Sequence, residues 1–157
     1  MRHLRPLSVT LSALAMSLGL LLGAGAQADE LAKYQIVGGE RIDESLTGQP
    51  GDPANGRKLA IDRKLGNCLA CHVLPIPEQP FHGDVGPDLS ETGSNLSEGE
   101  LRLRVVDSKV LNPDTIMPAF YRNDGFERVL KKFQGKTMLS AQQVEDVVAY
   151  LMTLKGN

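Results

Sequence analysis

The chain has 157 residues, a formal charge of −2 and 41% apolar side chains, with no tryptophan and only two cysteines. That length supplies one domain of ordinary size. The negative balance argues against a nucleic-acid ligand, which demands a basic surface, and two cysteines exclude a four-thiolate metal centre.

Arg2, His3 and Arg5 give a basic start, Leu11 to Leu22 is almost wholly apolar, and Ala26-Gln27-Ala28 ends the segment on small residues. These are the three parts of a secretory signal peptide, expected to span 1–28 with cleavage after Ala28. Read instead as a retained anchor, the apolar run is too short, since a spanning helix needs about 20 residues. Cleavage removes two arginines and no acid, leaving 129 residues at a formal charge of −4. The product is expected outside the cytoplasm, in the periplasm, where thiols meet an oxidising environment.

Residues 29–50 read as an irregular arm. Tyr34, Ile36, Val37, Ile42 and Leu46 fall among glycines and acids with no period of 3.6 or 2, and Gln49-Pro50-Gly51 signals a turn. Its apolar side chains suit a partner or the arm's own domain equally well. The remaining residues, 51–157, form the domain proper. Asp52 is a good N-cap and Pro53 suits a first helical position, so a helix is expected from Pro53 to about Leu65, stopped by Gly66. Prolines 75, 77, 80 and 87 make 73–96 a loop. Ser97 and Glu100 form a capping box for a helix ending near Lys109. Asn112 to Arg122 is a loop containing Met117-Pro118. Phe126, Val129, Leu130 and Phe133 are spaced i, i+3, i+4, i+7 and predict a short amphipathic helix closed by Gly135. Ser140 and Gln143 cap the clearest helix, whose stripe is Val144, Val147, Val148 and Leu151 with Tyr150 beside it. No strand pattern persists. The fold class is therefore all-α with long loops, and the aromatic-poor core lacks material at its centre.

The chemistry concentrates in Cys68-Leu69-Ala70-Cys71-His72. On one turn of helix these three side chains project from the same side. Two thiols can add across the two vinyl groups at a porphyrin edge, while the imidazole of His72 binds iron beneath; C-x-x-C-H is the haem-attachment signature. Zinc would need further ligands, and His82 is the only other histidine past the signal. A redox dithiol would want a βαβ unit, and a bare disulfide leaves His72 unexplained. The other axial position falls to a methionine, a histidine or nothing. Met152 lies in the last helix and Met138 just before its cap, where packing is the ordinary role. Met117 lies in a loop stiffened by Pro118, and its thioether is a soft, neutral ligand that favours ferrous iron. His82 and an open site are the alternatives, and a gap-filling role is the ordinary one for Met117 as well. A metal-bound imidazole usually donates its other N–H to a carbonyl, which the Gly86-Pro87-Asp88-Leu89 loop can offer.

Gly56 and Ala60 in the first helix, Cys68 to His72, Gly86-Pro87, Met117-Pro118 and Tyr150-Leu151 in the last helix together resemble the class I cytochromes c. The resemblance implies helices and long loops wrapped around one covalently bound haem c, with the first helix packed on the last at Gly56 or Ala60 against Tyr150. It implies the Pro87 carbonyl as the partner of His72. Gly51-Asp52-Pro53, Gly66-Asn67 before the cysteines, Gly86-Pro87-Asp88-Leu89 and Met117-Pro118-Ala119-Phe120-Tyr121 are similar, in combination, to the SoxX family of monohaem subunits, over roughly residues 34–154. That likeness implies a heterodimer with the cytochrome SoxA, which holds the reactive haem of an L-cysteine S-thiosulfotransferase. In such a complex thiosulfate is joined to a cysteine of the carrier SoxYZ, two electrons are released, and the SoxX subunit takes them on to a downstream cytochrome. No nucleic acid and no membrane enter this expectation. Two other functions fit the residues: a free class I shuttle steered by Lys131, Lys132 and Lys136, and a peroxidase acting at an open iron.

Overall fold

A computed structural model describes residues 31–156, so the signal segment expected at 1–28 lies outside the described residues, as do Asp29, Glu30 and Asn157. Among the described residues four α-helices follow in order: α1 (Pro53–Ile61), α2 (Thr92–Asn95), α3 (Glu98–Asp107) and α4 (Ala141–Met152). Among the described residues the β pairing is a single bridge, Val37 to Arg41.

Helix starts follow the capping chemistry. The Asp52 carboxylate accepts from Ala54 N at the head of α1, and both capping boxes are formed, Ser97 with Glu100 and Ser140 with Gln143. Helix ends depart from expectation. α1 stops at Ile61, four residues early, because Asp62 is extended and its N–H turns back to the Lys58 and Leu59 carbonyls. α3 ends at Asp107 and tightens into a 3₁₀ turn over Ser108–Val110. The loop 73–96 contains the one-turn α2.

The helix expected over 126–133 is absent apart from a 3₁₀ turn at Lys131–Phe133. Arg128 takes a left-handed conformation at φ 56°, which interrupts any helix. The cause is tertiary. Short helices hold only where an apolar stripe is buried, and here Leu130 is 66% and Phe133 53% exposed.

α1 and α4 pack closely enough to require a particular residue. A Cβ on Gly56 would lie 1.9 Å from the Asp146 carbonyl oxygen and 2.9 Å from the Tyr150 Cβ. The two backbones touch where Tyr150 passes, which is the expected first-to-last helix contact. Asp146 secures the joint: its carboxylate accepts from Asp52 N, Asn55 Nδ2 and Gln142 Nε2 at 2.6–3.1 Å.

The arm packs on its own domain. Ile42 is fully buried, Leu46 nearly so, and Leu31, Ala32 and Tyr34 lie against the same core. Each large buried apolar side chain contributes about 2 kcal/mol. Polar bonds fix its path. Arg102, 1% exposed, donates to the Ile42 carbonyl and pairs with Glu145, whose carboxylate also accepts from Leu46 N. Ala32 N donates to the Tyr121 hydroxyl.

Candidate haem-binding site

Cys68–Ala70 forms a 3₁₀ turn entered through Asn67 in the left-handed region, and His72 N then donates to Cys68 O at 2.9 Å. The turn is tighter than the α-helical one expected. It still sends Cys68, Cys71 and His72 into one cavity of about 330 Å³. No disulfide joins Cys68 to Cys71, and burial pushes the Cys68 thiol, while nothing is attached to it, up to about 11.

The loop after the motif closes against the imidazole. Gly86 N donates to Cys71 O at 2.7 Å and Leu89 N to Val73 O at 3.0 Å, bringing Pro87 over the ring. Its carbonyl lies 2.7 Å from His72 Nδ1. A carbonyl only accepts, so Nδ1 carries the hydrogen and Nε2 keeps its lone pair for a metal. Gly86 lies flat on the ring: a Cβ there would come within 2.3 Å of Cε1.

Met117 lines the same cavity. Its carbonyl accepts from Ser108 Oγ at 3.1 Å, its N–H donates to Thr115 Oγ1 at 3.2 Å, and Lys109 Nζ donates to the Thr115 carbonyl. Phe120 N and Tyr121 N then donate to the Val105 and Val106 carbonyls, tying the loop to α3. The residue types of the motif offered no hint of this bracing by Ser108 and Lys109.

Cys68, Cys71, His72, Pro87 and Met117 are thus brought together, and His82 is not among them. Its Nδ1 accepts from Leu74 N at 3.3 Å, away from the cavity lining. Met152 packs against the core as expected. Met138 departs from the packing role: it is half exposed and lines the cavity. Val105, Phe120, Leu139, Val147 and Leu151 supply apolar wall, and the lining holds no Asp, Glu, Lys or Arg.

These observations fit haem. The wall accepts an apolar macrocycle, two thiols stand at one edge, an imidazole is held in the metal-binding tautomer, and a thioether faces the same space. A bare metal ion is not accommodated, for among the described residues no three His, Cys, Asp or Glu side chains cluster as ligands.

Comparison with known proteins agrees. Residues 53–155 match the family model described as cytochrome c. A crystal structure of SoxXA from P. pantotrophus superposes with a TM-score of 0.72 at 41% identity, covering 78% of this chain and 94% of that one. No curated protein sequence matches.

Proposed function

We propose a function from one premise: the chain belongs to the cytochrome c family, is of the SoxX type, and carries one covalently bound haem c as an electron-transfer protein. On that premise it is the electron-accepting subunit of a periplasmic L-cysteine S-thiosulfotransferase, paired with a SoxA-type cytochrome and served by a SoxYZ-type carrier. The observation that carries this reading is the 41% identity to a SoxXA chain over nearly all of that chain's length.

In this reading Cys68 and Cys71 would anchor the haem, and His72 and Met117 would be the ligands of its iron. Haem, when bound, supplies one reversible electron at iron. The protein's residues set the conditions. The Pro87 carbonyl holds the Nδ1 proton of His72 and so fixes the ring. The Met117 loop is kept in place by Ser108 and Thr115, and as a ligand its soft thioether would bias the iron toward the ferrous state. The wall carries no charged side chain, which limits the rearrangement that accompanies a change of charge. Neither cysteine is left to carry a sulfur group, in keeping with a subunit that moves electrons only. Division into a signal peptide at 1–28, an arm at 29–50 and a cytochrome domain at 51–157 completes the proposal. Among the described residues no helix is long and apolar enough to cross a membrane.

The test is isolation of the mature protein from its host. A polypeptide starting at Asp29, heavier than its amino acids by one haem and eluting with a second cytochrome, is expected. Thiosulfate should reduce its haem only when partner and carrier are both present. Elution as a lone monomer, with thiosulfate inert in the reconstituted mixture, sinks the thiosulfotransferase reading.

A further inference from the structure

Tyr121 ends the buried run that follows Met117. Ala119, Phe120 and Tyr121 are buried, and the chain then comes to the surface, where every residue from 124 to 136 except Val129 is exposed. On the upstream side Ser108 and Thr115 hold Met117 by its backbone. The downstream side is tied to α3 and to the head of α4. Phe120 N and Tyr121 N donate to α3 carbonyls, and the Phe120 carbonyl accepts from both Met138 N and Leu139 N at 3.0 Å. The Tyr121 side chain reaches further. Its hydroxyl accepts from Ala32 N at 2.8 Å, across 89 positions of sequence.

Among the described residues this is the one hydrogen bond made by 31–36. It is not needed to seat the arm, because Ile42, Leu46 and Arg102 already fix the arm further along. It ties the beginning of the arm to the end of the Met117 run instead. Tyr34 lies at the same corner: burial, then the Asp107 carboxylate and the Tyr121 phenol, raise the pKa of its own phenol. Asp107 in turn pairs with Arg122, the neighbour of Tyr121, and caps the turn that carries Ser108. The start of the arm, both ends of the Met117 loop and the end of α3 therefore meet in one place. Phenylalanine would fill the position of Tyr121 as well as tyrosine does. A buried hydroxyl costs free energy unless it is bonded, and the Ala32 amide supplies the bond.

We infer that the start of the arm is a positioning element for the sixth ligand of the iron: Ala32, through the Tyr121 hydroxyl, holds the Met117 loop shut. The inference rests on the reading of Met117 as that ligand and adds what keeps it in place. Neither Ala32 nor Tyr121 lines the cavity, so both act through the loop. With the tie made, the run 119–121 cannot follow the exposed stretch beyond it away from the core without also breaking the bond to Ala32. Without the tie, only the backbone bonds to α3 and the head of α4 resist.

The experiment uses the full ferric holoprotein with free imidazole as the probe. Imidazole takes the sixth position only after the thioether has left, so its binding rate follows the opening of the loop, and loss of the near-infrared methionine–iron band reports the exchange. Tyr121→Phe keeps the ring and removes the acceptor. It should retain the band and bind imidazole about fivefold faster, the factor that one ordinary hydrogen bond represents. Deletion of residues 29–34 should speed binding at least as much. Tyr121→Phe added to that deletion should change the rate by less than about twofold more, because both changes remove the same bond. Asp146→Asn, at the α1–α4 joint, should lower the urea midpoint and leave the imidazole rate within about twofold of the wild type. A wild-type rate in Tyr121→Phe would overturn the inference. So would full additivity of the hydroxyl and arm changes, or an equal acceleration in Asp146→Asn, which would make the effect a general loosening. If Tyr121→Phe is not recovered with haem, the deletion decides alone, and a wild-type rate in it overturns the inference. The ligand reading fails separately, and takes this inference with it, if the wild-type ferric protein shows no near-infrared band.

Discussion

His72 shows how much chemistry one hydrogen bond decides. Because Pro87 offers only an acceptor at 2.7 Å, the imidazole cannot place its proton on Nε2, and the ring is set as a metal ligand. Gly86 makes that bond reachable by lying against the ring face, and its φ is not in the left-handed region, so alanine costs nothing in backbone conformation there. Gly86→Ala therefore isolates the steric effect. Its methyl would stand 2.3 Å from Cε1, so the ring must move off the Pro87 carbonyl. We expect a sharply reduced yield of haem-loaded protein, read as haem stain per mass of polypeptide; full loading with an unshifted Soret band would refute the clash. Met117 is tested by removing its thioether. Met117→Ala should abolish the weak near-infrared absorbance of a methionine–iron bond and lower the reduction potential by on the order of a hundred millivolts. An unaltered spectrum would mean that sulfur never reaches the iron, and the open-site peroxidase reading would return.

At the scale of elements, the joint between α1 and α4 carries the fold. Gly56→Val would drive a side chain into the Asp146 carbonyl from 1.9 Å, where backbone rather than a flexible chain end must give way. Overpacking of that kind costs about 3 kcal/mol, measurable as a lower midpoint in urea. The same joint has a pH dependence. Burial acts to raise the pKa of Asp146, but hydrogen bonds from Asp52, Asn55 and Gln142 outweigh it and hold the carboxyl below its ordinary value. A group whose folded pKa is depressed adds stability above its unfolded pKa, near 4, and loses it as the pH falls through the folded value. Asp146→Asn should cost roughly 1–2 kcal/mol at neutral pH. The gap in melting temperature between the two proteins should close as the pH drops below about 4, and a constant gap from pH 7 to 3 would contradict the assignment.

These elements also mark what the sequence could tell. Caps at Asp52, Ser97 and Ser140 are local chemistry, written in two or three neighbouring residues, and they form as read. The spacing of Phe126, Val129, Leu130 and Phe133 is equally regular, but a stripe makes a helix only when another surface covers it. Whether one exists is a property of the whole fold. Likewise, Cys68, Cys71 and His72 are legible because their spacing is the chemistry itself. The bracing of Met117 by Ser108 and Lys109 depends on how α3 meets a loop, and no short pattern encodes that.

For the whole molecule the question is what fills its centre. The buried cluster runs from Ile42 and Leu46 in the arm through Leu101, Leu103 and Val106 to Val144, Val147 and Val148, and it surrounds a cavity of about 330 Å³ rather than closing on itself. An unfilled apolar cavity costs around 24 cal/mol per Å³, so this one amounts to about 8 kcal/mol as a ceiling, its mouth being open. That is as large as the entire stability of an ordinary domain, roughly 5–15 kcal/mol. The polar clamps cannot make up the difference. Arg102 and Glu145 are each nearly fully buried, and pairing charges inside a protein largely repays their own desolvation. The chain without haem should therefore keep much of its helix content and lose fixed packing. Cys68→Ala/Cys71→Ala, exported and purified without haem, is expected to give a helical far-ultraviolet circular dichroism spectrum, a weak near-ultraviolet one, strong binding of a hydrophobic dye and no cooperative melting. Covalent attachment makes the filler permanent, so the loaded protein should melt in one sharp transition that no chelator or dilution lowers. A haem-free variant that melted just as sharply would show that the side chains alone complete the core, and the cavity would then have to be read as a binding site for something the fold does not need.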